Sequence, residues 1–261
     1  MIVISCNVRA STMANDLGPA SWKERRELCL QVIADRDPDI FALQECSAEQ
    51  FEDFCNFFNK NYDVFWISPY PAFDAPENAI FYRKNLFKVI TYGGYHLSPT
   101  PHVANASCFG DNCNRVVNYI VFETADKVRF RMINTHLSVS PESAMPQAKM
   151  LLEDTAAWAD DMPQILTGDF NNDIKSEVMQ MLTKVFRDTH AEATGIADER
   201  FSYHEFIGEE YCNSDNFTIP GKIDWILTKG NIRCTKSEML MEHDGAVYPS
   251  DHYFICAELQ F

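Results

Sequence analysis

The stretch Ile165-Leu166-Thr167-Gly168-Asp169-Phe170-Asn171-Asn172-Asp173 places an apolar run directly before a glycine and a group of acidic and amide side chains. We interpret it as a buried strand that ends in a polar site. Asp169 and Asn171 are two residues apart, and alternate side chains of an extended segment point the same way. Gly168 allows a sharp turn or a close approach to a ligand. The alternative is a simple turn, because Asp and Asn favour turns on their own account.

Apolar strands that end in, or contain, a polar side chain recur along the chain, and this recurrence favours a site. The polar residues concerned are Asn7, Glu45, His136, Asp169, Asn171, Asp224, Asp251 and His252. Taken singly, each has a structural alternative. Glu45 would be a solvated connector between a strand and a helix, and His136 a hydrogen-bonded structural histidine.

Helical patterns separate these strands. A capping box at Ser21 predicts a helix that stops before Asp37, and Ser47 caps a second helix. Further helices are predicted over Pro141–Ala159 and 176–186, and 187–221 reads as long surface loops suited to lining a pocket. The remaining strands are predicted at Tyr62–Ile67, Ala79–Arg83, Phe87–Tyr92, Val116–Glu123, Val128–Thr135 and Tyr253–Leu259. With no internal repeat or linker, we expect one domain over residues 1–261.

Composition is that of an ordinary globular protein, with 46% hydrophobic and 23% charged residues. No run of about eighteen apolar residues is present to span a membrane, and no signal peptide precedes the first strand. The nine cysteines form no Cys-x-x-Cys motif and mostly lie in apolar patterns. We therefore expect a cytoplasmic protein with reduced thiols. The alternative concerns Cys108 and Cys113, which lie in one loop and would pair or bind metal.

The formal net charge of −16 bears on the choice of partners. Polyanions such as duplex nucleic acid are normally held by a basic surface, and the longest basic cluster here is Lys23-Glu24-Arg25-Arg26. This disfavours non-specific binding to nucleic acid or to an anionic membrane. It leaves room for a local basic pocket that holds a small phosphate.

The residue types at the strand ends indicate metal-assisted hydrolysis. Their carboxylate and amide oxygens suit Mg²⁺, which prefers oxygen ligands. No pair of cysteines or closely spaced histidines accompanies them, as zinc would require. A histidine beside an acid, as in Asp251-His252, also meets the requirements of general acid–base chemistry.

Six short motifs, in this order, resemble the endonuclease/exonuclease/phosphatase superfamily, the DNase I-like proteins, across nearly the whole chain. They are Cys6-Asn7-Val8, Leu43-Gln44-Glu45, Asn134-Thr135-His136-Leu137, Gly168-Asp169-Phe170-Asn171, Ile223-Asp224-Trp225-Ile226 and Ser250-Asp251-His252. The resemblance implies a four-layer α/β sandwich, in which two packed mixed β-sheets are flanked by helices. It also implies phosphoester hydrolysis assisted by Mg²⁺ or Mn²⁺.

The same resemblance implies the metal ligands. Glu45 matches the principal metal carboxylate, with Asn7 beside it and Asp251 as a further ligand. Many members carry an acid two residues after the first Asn. This chain has Arg9 there, which argues against a second metal at that point.

The resemblance also implies catalytic roles. Asp169 matches the acid that aligns or deprotonates the attacking water, and Asn171 the amide that holds the phosphate. His252 matches the histidine that stabilises the charge of the phosphorane-like transition state, with Asp224 orienting its ring. His136 is a second donor to a phosphate oxygen.

A further stretch is similar to a bacterial branch of metal-dependent hydrolases that also resembles eukaryotic deadenylase-type members. It comprises Ala79–Lys84, Leu97–Pro101 and Arg115. Arg115 is a candidate phosphate anchor, since Arg contacts phosphate through two parallel hydrogen bonds. The alternative is a surface Arg in a turn.

The leading hypothesis is a phosphoesterase acting on a phosphomonoester or phosphodiester of a small molecule, such as a metabolite, a sugar phosphate or a phospholipid head group. A nuclease acting on single-stranded nucleic acid is the alternative, with Tyr203, Phe206, Tyr211 and Phe217 as a stacking platform. A non-catalytic phosphate-binding module is a third hypothesis, which the complete acid and histidine set disfavours.

Overall fold

The computed structural model describes residues 1–68, 76–111, 113–213, 219 and 221–261, and its strands form two six-stranded sheets. The first sheet contains β1 (Ile2–Asn7), β2 (Ile40–Gln44), β3 (Tyr62–Phe65), β4 (Ile80–Arg83), β11 (Arg233–Leu240) and β12 (Phe254–Gln260). The second contains β5 (Lys88–His96), β6 (Val116–Glu123), β7 (Arg129–His136), β8 (Gln164–Asp169), β9 (Arg187–Asp188) and β10 (Asp224–Lys229). Their orders are β11-β12-β1-β2-β4-β3 and β5-β6-β7-β8-β10-β9.

A parallel strand pair lies at the centre of each sheet, and the other pairings are antiparallel. In the first sheet β1 is parallel to β2, with Asn7 opposite Gln44. In the second, β7 is parallel to β8, with His136 opposite Asp169. Because parallel strands end at the same edge, each pair delivers its polar termini to one end of the molecule.

The alternating direction of side chains explains why the central strands are apolar throughout. Val3 and Ile40 point toward the second sheet, while their neighbours Ile4 and Phe41 point toward the outside. Both faces of the strand are therefore covered, as the continuous apolar runs predicted. The core between the sheets includes Val3, Ile40, Ala42, Ile80, Ile120, Phe130, Met132, Ile165 and Ile226.

Helices cover the outer faces. The helices α1 (Trp22–Ala34) and α2 (Ala48–Phe58) pack on the first sheet, and α3 (Pro141–Ala156) and α4 (Glu177–Leu182) pack on the second. Two short helices, α5 (Thr189–Thr194) and α6 (Glu209–Asn213), lie in the long connection before β10. The layers are helix, sheet, sheet and helix, so the predicted four-layer α/β sandwich is confirmed.

One buried amide pair joins the two sheets next to the polar strand ends. Gln44 Nε2 donates to Asn134 Oδ1 at 2.7 Å. Asn134 Nδ2 donates to the Leu43 carbonyl at 2.8 Å. Buried hydrogen bonds of this kind are sensitive to relative displacement, so this pair sets the register of β2 against β7, and hence of Glu45 against His136.

The predicted caps of the first two helices have different outcomes. The capping box at Ser21 is wrong, because Ser21 Oγ donates to the Gly18 carbonyl at 2.8 Å. The helix start is instead held by Asp16, whose carboxylate accepts from the Trp22 amide at 3.0 Å. The second cap is confirmed, since the Ser47 amide donates to Gln50 Oε1 at 2.9 Å.

Several predicted boundaries differ from the structure. Strand β5 continues to His96 rather than ending at Tyr92, because Gly93 and Gly94 let β6 approach. A Cβ on Gly94 would lie 2.5 Å from the Val117 carbonyl oxygen. The helices predicted over Pro141–Ala159 and 176–186 are shorter, and residues 187–221 contain β9, α5 and α6. Strand β11 was not predicted.

The structure also bears on membrane spans and on the cysteines. Among the described residues, no helix is both long and apolar enough to cross a lipid bilayer. Cys108 and Cys113 are unpaired thiols rather than a disulfide. The Cys108 sulfur instead accepts a hydrogen bond from the Arg115 amide at 3.0 Å.

Candidate active site

A cavity of about 330 Å³ opens where the central strands of both sheets end. Six of the nine predicted site residues line it: Glu45, Arg115, His136, Asp169, Asn171 and His252. The other three, Asn7, Asp224 and Asp251, are almost fully buried behind this lining. The fold therefore brings all nine together, from sequence positions as far apart as 7 and 252.

Asn7 lies between two carboxylates at the floor of the cavity. Its Nδ2 donates to Glu45 Oε1 at 3.1 Å and to Asp169 Oδ2 at 2.9 Å. Its Oδ1 faces the other way and accepts from the Arg9 amide at 3.0 Å. To bind a metal through oxygen, the Asn7 amide would have to turn by half a rotation.

Glu45 lies at the junction of β2 and α2 with a left-handed backbone, at a φ of 54°. This conformation is uncommon for a side chain with a Cβ. It turns the carboxylate into the cavity, where Oε2 lies 3.4 Å from the Ala10 amide. Glu45 is thus a cavity residue rather than a solvated connector.

The segment from Asp169 to Asn171 is both a turn and part of the site, so the two interpretations from the sequence hold together. Asp169 Oδ1 accepts from the Asn171 amide at 2.8 Å, and Asn171 has a φ of 50°. The Asn171 side chain donates from Nδ2 to His136 Nε2 at 2.9 Å and to the Leu137 carbonyl at 3.0 Å.

Gly168 is required because the backbone of β8 approaches the neighbouring strand closely at this position. The close approach is not to a ligand. A Cβ at this position would lie 2.2 Å from the Thr135 carbonyl oxygen of β7. The absence of a side chain therefore brings β7 and β8 together and sets Asp169 beside His136. His136 Nε2 lies 3.4 Å from Asp169 Oδ2.

The two cavity histidines carry different charges. Burial, assisted by the nearby charges of Arg115 and His252, holds the pKa of His136 well below its usual value. His136 is therefore neutral and accepts the Asn171 hydrogen bond. Burial opposes the charged form of His252 as well, but the negative charges of Asp224, Asp169 and Asp251 together outweigh burial and raise the pKa of His252 to about 10.

The contact that sets the charge of His252 joins its Nδ1 to Asp224 Oδ2 at 2.8 Å. Asp224 is the first residue of β10 and lies opposite Asp169 of β8. The ring is thereby turned so that Nε2 faces the cavity, 3.9 Å from Asp169 Oδ2. At neutral pH this nitrogen presents a proton to whatever binds there.

The acids of the site suit a hard divalent cation. Glu45, Asp169 and His252 each bring one polar atom to within 4.8 Å of the others. Burial, reinforced by the charge of Asp224, raises the pKa of Asp169 to about 7. A cation would offset the repulsion between these carboxylates, and carboxylate oxygens are its preferred ligands. Because His252 keeps its proton, the carboxylates rather than the imidazole fit as ligands.

Sequence comparison agrees with this geometry. Residues 4–252 match the sequence model of the Endonuclease/Exonuclease/phosphatase family. The chain belongs to this family. A search of curated protein sequences gives no significant match.

Solved structures share this endonuclease/exonuclease/phosphatase fold. An endonuclease/exonuclease/phosphatase from Bacteroides vulgatus is 23% identical, with a TM-score of 0.86 over 99% of this chain and 98% of that chain. A mannosyl-6-phosphatase from Bacteroides thetaiotaomicron is 24% identical, with a TM-score of 0.84 over all of both chains. TDP2 from D. rerio, complexed with a single-strand DNA product, is 18% identical, with a TM-score of 0.74 over 100% of this chain and 99% of that chain.

In this member of the endonuclease/exonuclease/phosphatase family, Arg115 belongs to the cavity wall. It is only 9% exposed, and its Nε lies 3.4 Å from Asp111 Oδ2. The surface-turn alternative for Arg115 is therefore wrong. Beside it, Glu77 also lines the cavity. Burial raises the pKa of Glu77 to about 7 against the opposing charge of Arg115.

Sequence reasoning missed Glu77 and Arg25. Glu77 lies in a loop before β4, where no strand pattern marks it. Arg25 is fully buried in α1 and donates to the Val8, Arg9 and Pro249 carbonyls at 2.6–2.9 Å. It thereby ties the loop after β1 to the loop that carries Asp251. The available signal was that Arg25 lies at helical spacing from Trp22 and Cys29, and hence on the buried face of α1.

The proposed aromatic platform is not assembled among the described residues. Tyr203 lines the cavity, with its ring 5.1 Å from that of His252. Tyr211 is 1% exposed, and Phe206 packs near Arg25. Phe217 lies outside the described residues. One aromatic ring is thus available to a substrate in the part of the loop that the structure describes.

Proposed function

We propose that the protein is a Mg²⁺- or Mn²⁺-dependent phosphoesterase that hydrolyses a phosphomonoester or phosphodiester of a small molecule. The observation that carries the proposal is the convergence of Glu45, Asp169 and a protonated His252 within 4.8 Å, at the floor of a cavity. Phosphoryl transfer needs charge neutralisation and positioning above all, and this arrangement suits both.

The metal would be held by Glu45, with Asp251 and Asn7 as further ligands. A divalent ion bound there would neutralise phosphate charge and polarise a phosphate oxygen. The Asn7 amide holds Glu45 and Asp169 together in the structure, through bonds of 3.1 and 2.9 Å. We expect it to reorient its oxygen when the ion binds.

The remaining residues act on water and on phosphate. Asp169 is the group that aligns the attacking water and accepts its proton, and a pKa of about 7 suits that role at neutral pH. His252 donates from Nε2 to the phosphate oxygen on which charge develops, and Asp224 keeps it protonated. Asn171 and Arg115 orient the other phosphate oxygens, and His136 positions the Asn171 amide.

The cavity favours a small substrate. Its volume of about 330 Å³ lies at the low end for ligand pockets. Arg9, Arg115 and His252 supply positive charge, and Glu77 offers an acceptor for substrate hydroxyl groups. The fold is also that of a mannosyl-6-phosphatase. Cleavage of single-stranded nucleic acid is the second candidate, since the structure of TDP2 with single-strand DNA product has the same fold.

Substitution of Glu45 tests the proposal. Glu45→Gln removes a negative charge while keeping the side-chain shape. We expect kcat/KM for small phosphoesters with Mg²⁺ to fall at least about a hundredfold and Mn²⁺ affinity to fall in parallel. Turnover is measured on a panel of phosphomonoesters and phosphodiesters with Mg²⁺, Mn²⁺ or chelator, and metal affinity by calorimetry.

The matched control is Glu52→Gln, an exposed glutamate on α2. It should leave both quantities unchanged, and circular dichroism should show that both variants are folded. Near wild-type turnover and metal affinity in Glu45→Gln would remove Glu45 from the metal site. Wild-type hydrolysis that survives chelator would overturn the metal requirement.

A further inference from the structure

Arg9 is a cavity residue to which the proposed function gives a positive charge but no part in the metal site. It follows Asn7 by two residues and lines the cavity beside Glu45. Its Nε lies 3.4 Å from Asp251 Oδ2, with side-chain exposures of 19% for Arg9 and 3% for Asp251. A permanent positive charge therefore stands next to Asp251 Oδ2, the oxygen of this metal-ligand candidate that a second metal ion would otherwise share.

The position of Arg9 is fixed from several sides. Its backbone is left-handed, at a φ of 53°. Its carbonyl accepts from Arg25 Nη2 at 2.6 Å and from Gln50 Nε2 at 2.9 Å. At the far end of the side chain, Nη2 donates to Asn15 Oδ1 at 2.9 Å. The guanidinium is thus a built part of the cavity wall.

Asp251 needs a nearby cation because its carboxylate is buried. Ser250 Oγ donates to its Oδ1 at 3.3 Å, while Oδ2 is the oxygen that faces Arg9. A buried carboxylate without a partner is costly. A guanidinium stays charged at every physiological pH, so Arg9, together with His252 Nε2 at 3.9 Å from Oδ1, lowers this cost without any bound ion.

We propose that the Arg9 guanidinium takes the place of a second divalent cation, so that the site binds a single metal ion. The inference rests on the proposed function for the identity of the first ion. Arg9 lies on the Asp251 side of the cavity and Glu45 holds the ion beside it. A phosphate bound between them then meets one metal ion and one guanidinium. Specificity for a small phosphate follows, because a guanidinium offers directed hydrogen bonds that a hydrated ion does not.

The stoichiometry and affinity of Mn²⁺ binding test the proposed single-ion site directly, without a measurement of turnover. Electron paramagnetic resonance of unbound Mn²⁺ gives both quantities in a titration. The wild type should bind one ion per chain. In Arg9→Gln, loss of the neighbouring positive charge should raise Mn²⁺ affinity by at least about fivefold and allow a second ion to bind through Asp251 Oδ2, the oxygen that Arg9 faces in the wild type. Arg9→Lys should keep the single-ion stoichiometry.

Arg233→Gln is the matched control, since it removes the same charge from an exposed position on β11. It should leave stoichiometry and affinity as in the wild type. Two ions bound by the wild type would overturn the role of Arg9 while leaving the metal-dependent function intact, and this result needs no variant to fold. Unchanged binding in Arg9→Gln would also overturn it. A wild type that binds no Mn²⁺ would overturn both proposals.

Discussion

The charge of His252 is decided by neighbouring carboxylates, of which Asp224 has the largest effect. Burial favours the neutral ring, yet Asp224, at 2.8 Å from Nδ1, together with Asp169 and Asp251 raises the pKa of His252 to about 10. An imidazole that keeps its proton at neutral pH is a hydrogen-bond donor and cannot serve as a base. Under the proposed function, proton abstraction therefore falls to Asp169 and charge stabilisation to His252, with Asp224 as a positioning residue.

Two substitutions separate these roles. His252→Ala should lower turnover by at least about a hundredfold. Asp224→Asn preserves the shape but removes the anion that keeps His252 charged, so the pKa of His252 should fall. The alkaline limb of the pH profile should then shift, so that the activity of the variant declines at a lower pH than that of the wild type. The measurement is kcat/KM between about pH 6 and pH 9. A harmless Asp224→Asn would argue against the pairing.

At the scale of elements, the contact between β7 and β8 depends on a missing side chain. The two strands run in parallel, and Gly168 lies opposite Thr135. The space for a Cβ is already taken by the Thr135 carbonyl oxygen, at 2.2 Å. Any side chain here must push β8 away from β7, and Asp169, the next residue, moves with it.

Gly168→Ala should therefore harm both stability and the site. We expect the free energy of unfolding to fall by roughly 2 kcal/mol or more, as for overpacked cores, with a loss of turnover. Urea denaturation measures the first effect. Gly245→Ala is the comparison, because Gly245 has a φ of 58° but no atom near its Cβ position. Gly245→Ala should lower the free energy of unfolding by only about 1 kcal/mol, through backbone strain. Equal losses would contradict the steric explanation.

At this scale, the sequence could predict the features that a few neighbouring residues determine. Apolar runs that end in Asn7, Glu45 or His136 are visible in a few residues, and so is the cap at Ser47. The cap of α1 was missed because Asp16 reaches it across an intervening turn. Strand β11 was missed because it lies at an edge and is largely polar.

The partners of the site residues were also beyond local patterns. Arg25 looked like part of a basic surface cluster, although its guanidinium holds carbonyls from residues as distant as Pro249. The charges of His136 and His252 depend on burial and on neighbours from other strands. The family motifs identified which residues meet, but the tertiary contacts decide which of them is protonated.

At the scale of the whole molecule, the chain is strongly negative, whereas the cavity is lined by both acidic and basic side chains. The chain has 38 acidic and 22 basic residues, while Arg9, Arg115 and His252 gather at the cavity. Long-range repulsion should slow the approach of a polyanion, whereas a small phosphoester is repelled less.

We therefore expect higher kcat/KM for small phosphoesters than for an oligonucleotide. Rates on both substrate types are measured at several salt concentrations. Added salt should screen the repulsion and leave or improve the oligonucleotide rate. A faster oligonucleotide reaction that falls steeply with salt would reveal a basic binding surface and contradict the small-substrate proposal.

The pairing of β1 with β12 has a consequence for how the chain reaches this state. Ile2 lies opposite Glu258, so β1 finds its antiparallel neighbour only after β2 to β11 have been synthesised. Until then one edge of β1 is open to wrong partners on the nascent chain. Contacts this distant in sequence also close slowly. The cavity at the strand ends should therefore form late, and the yield of the protein in cells should respond to chaperones that shield that edge.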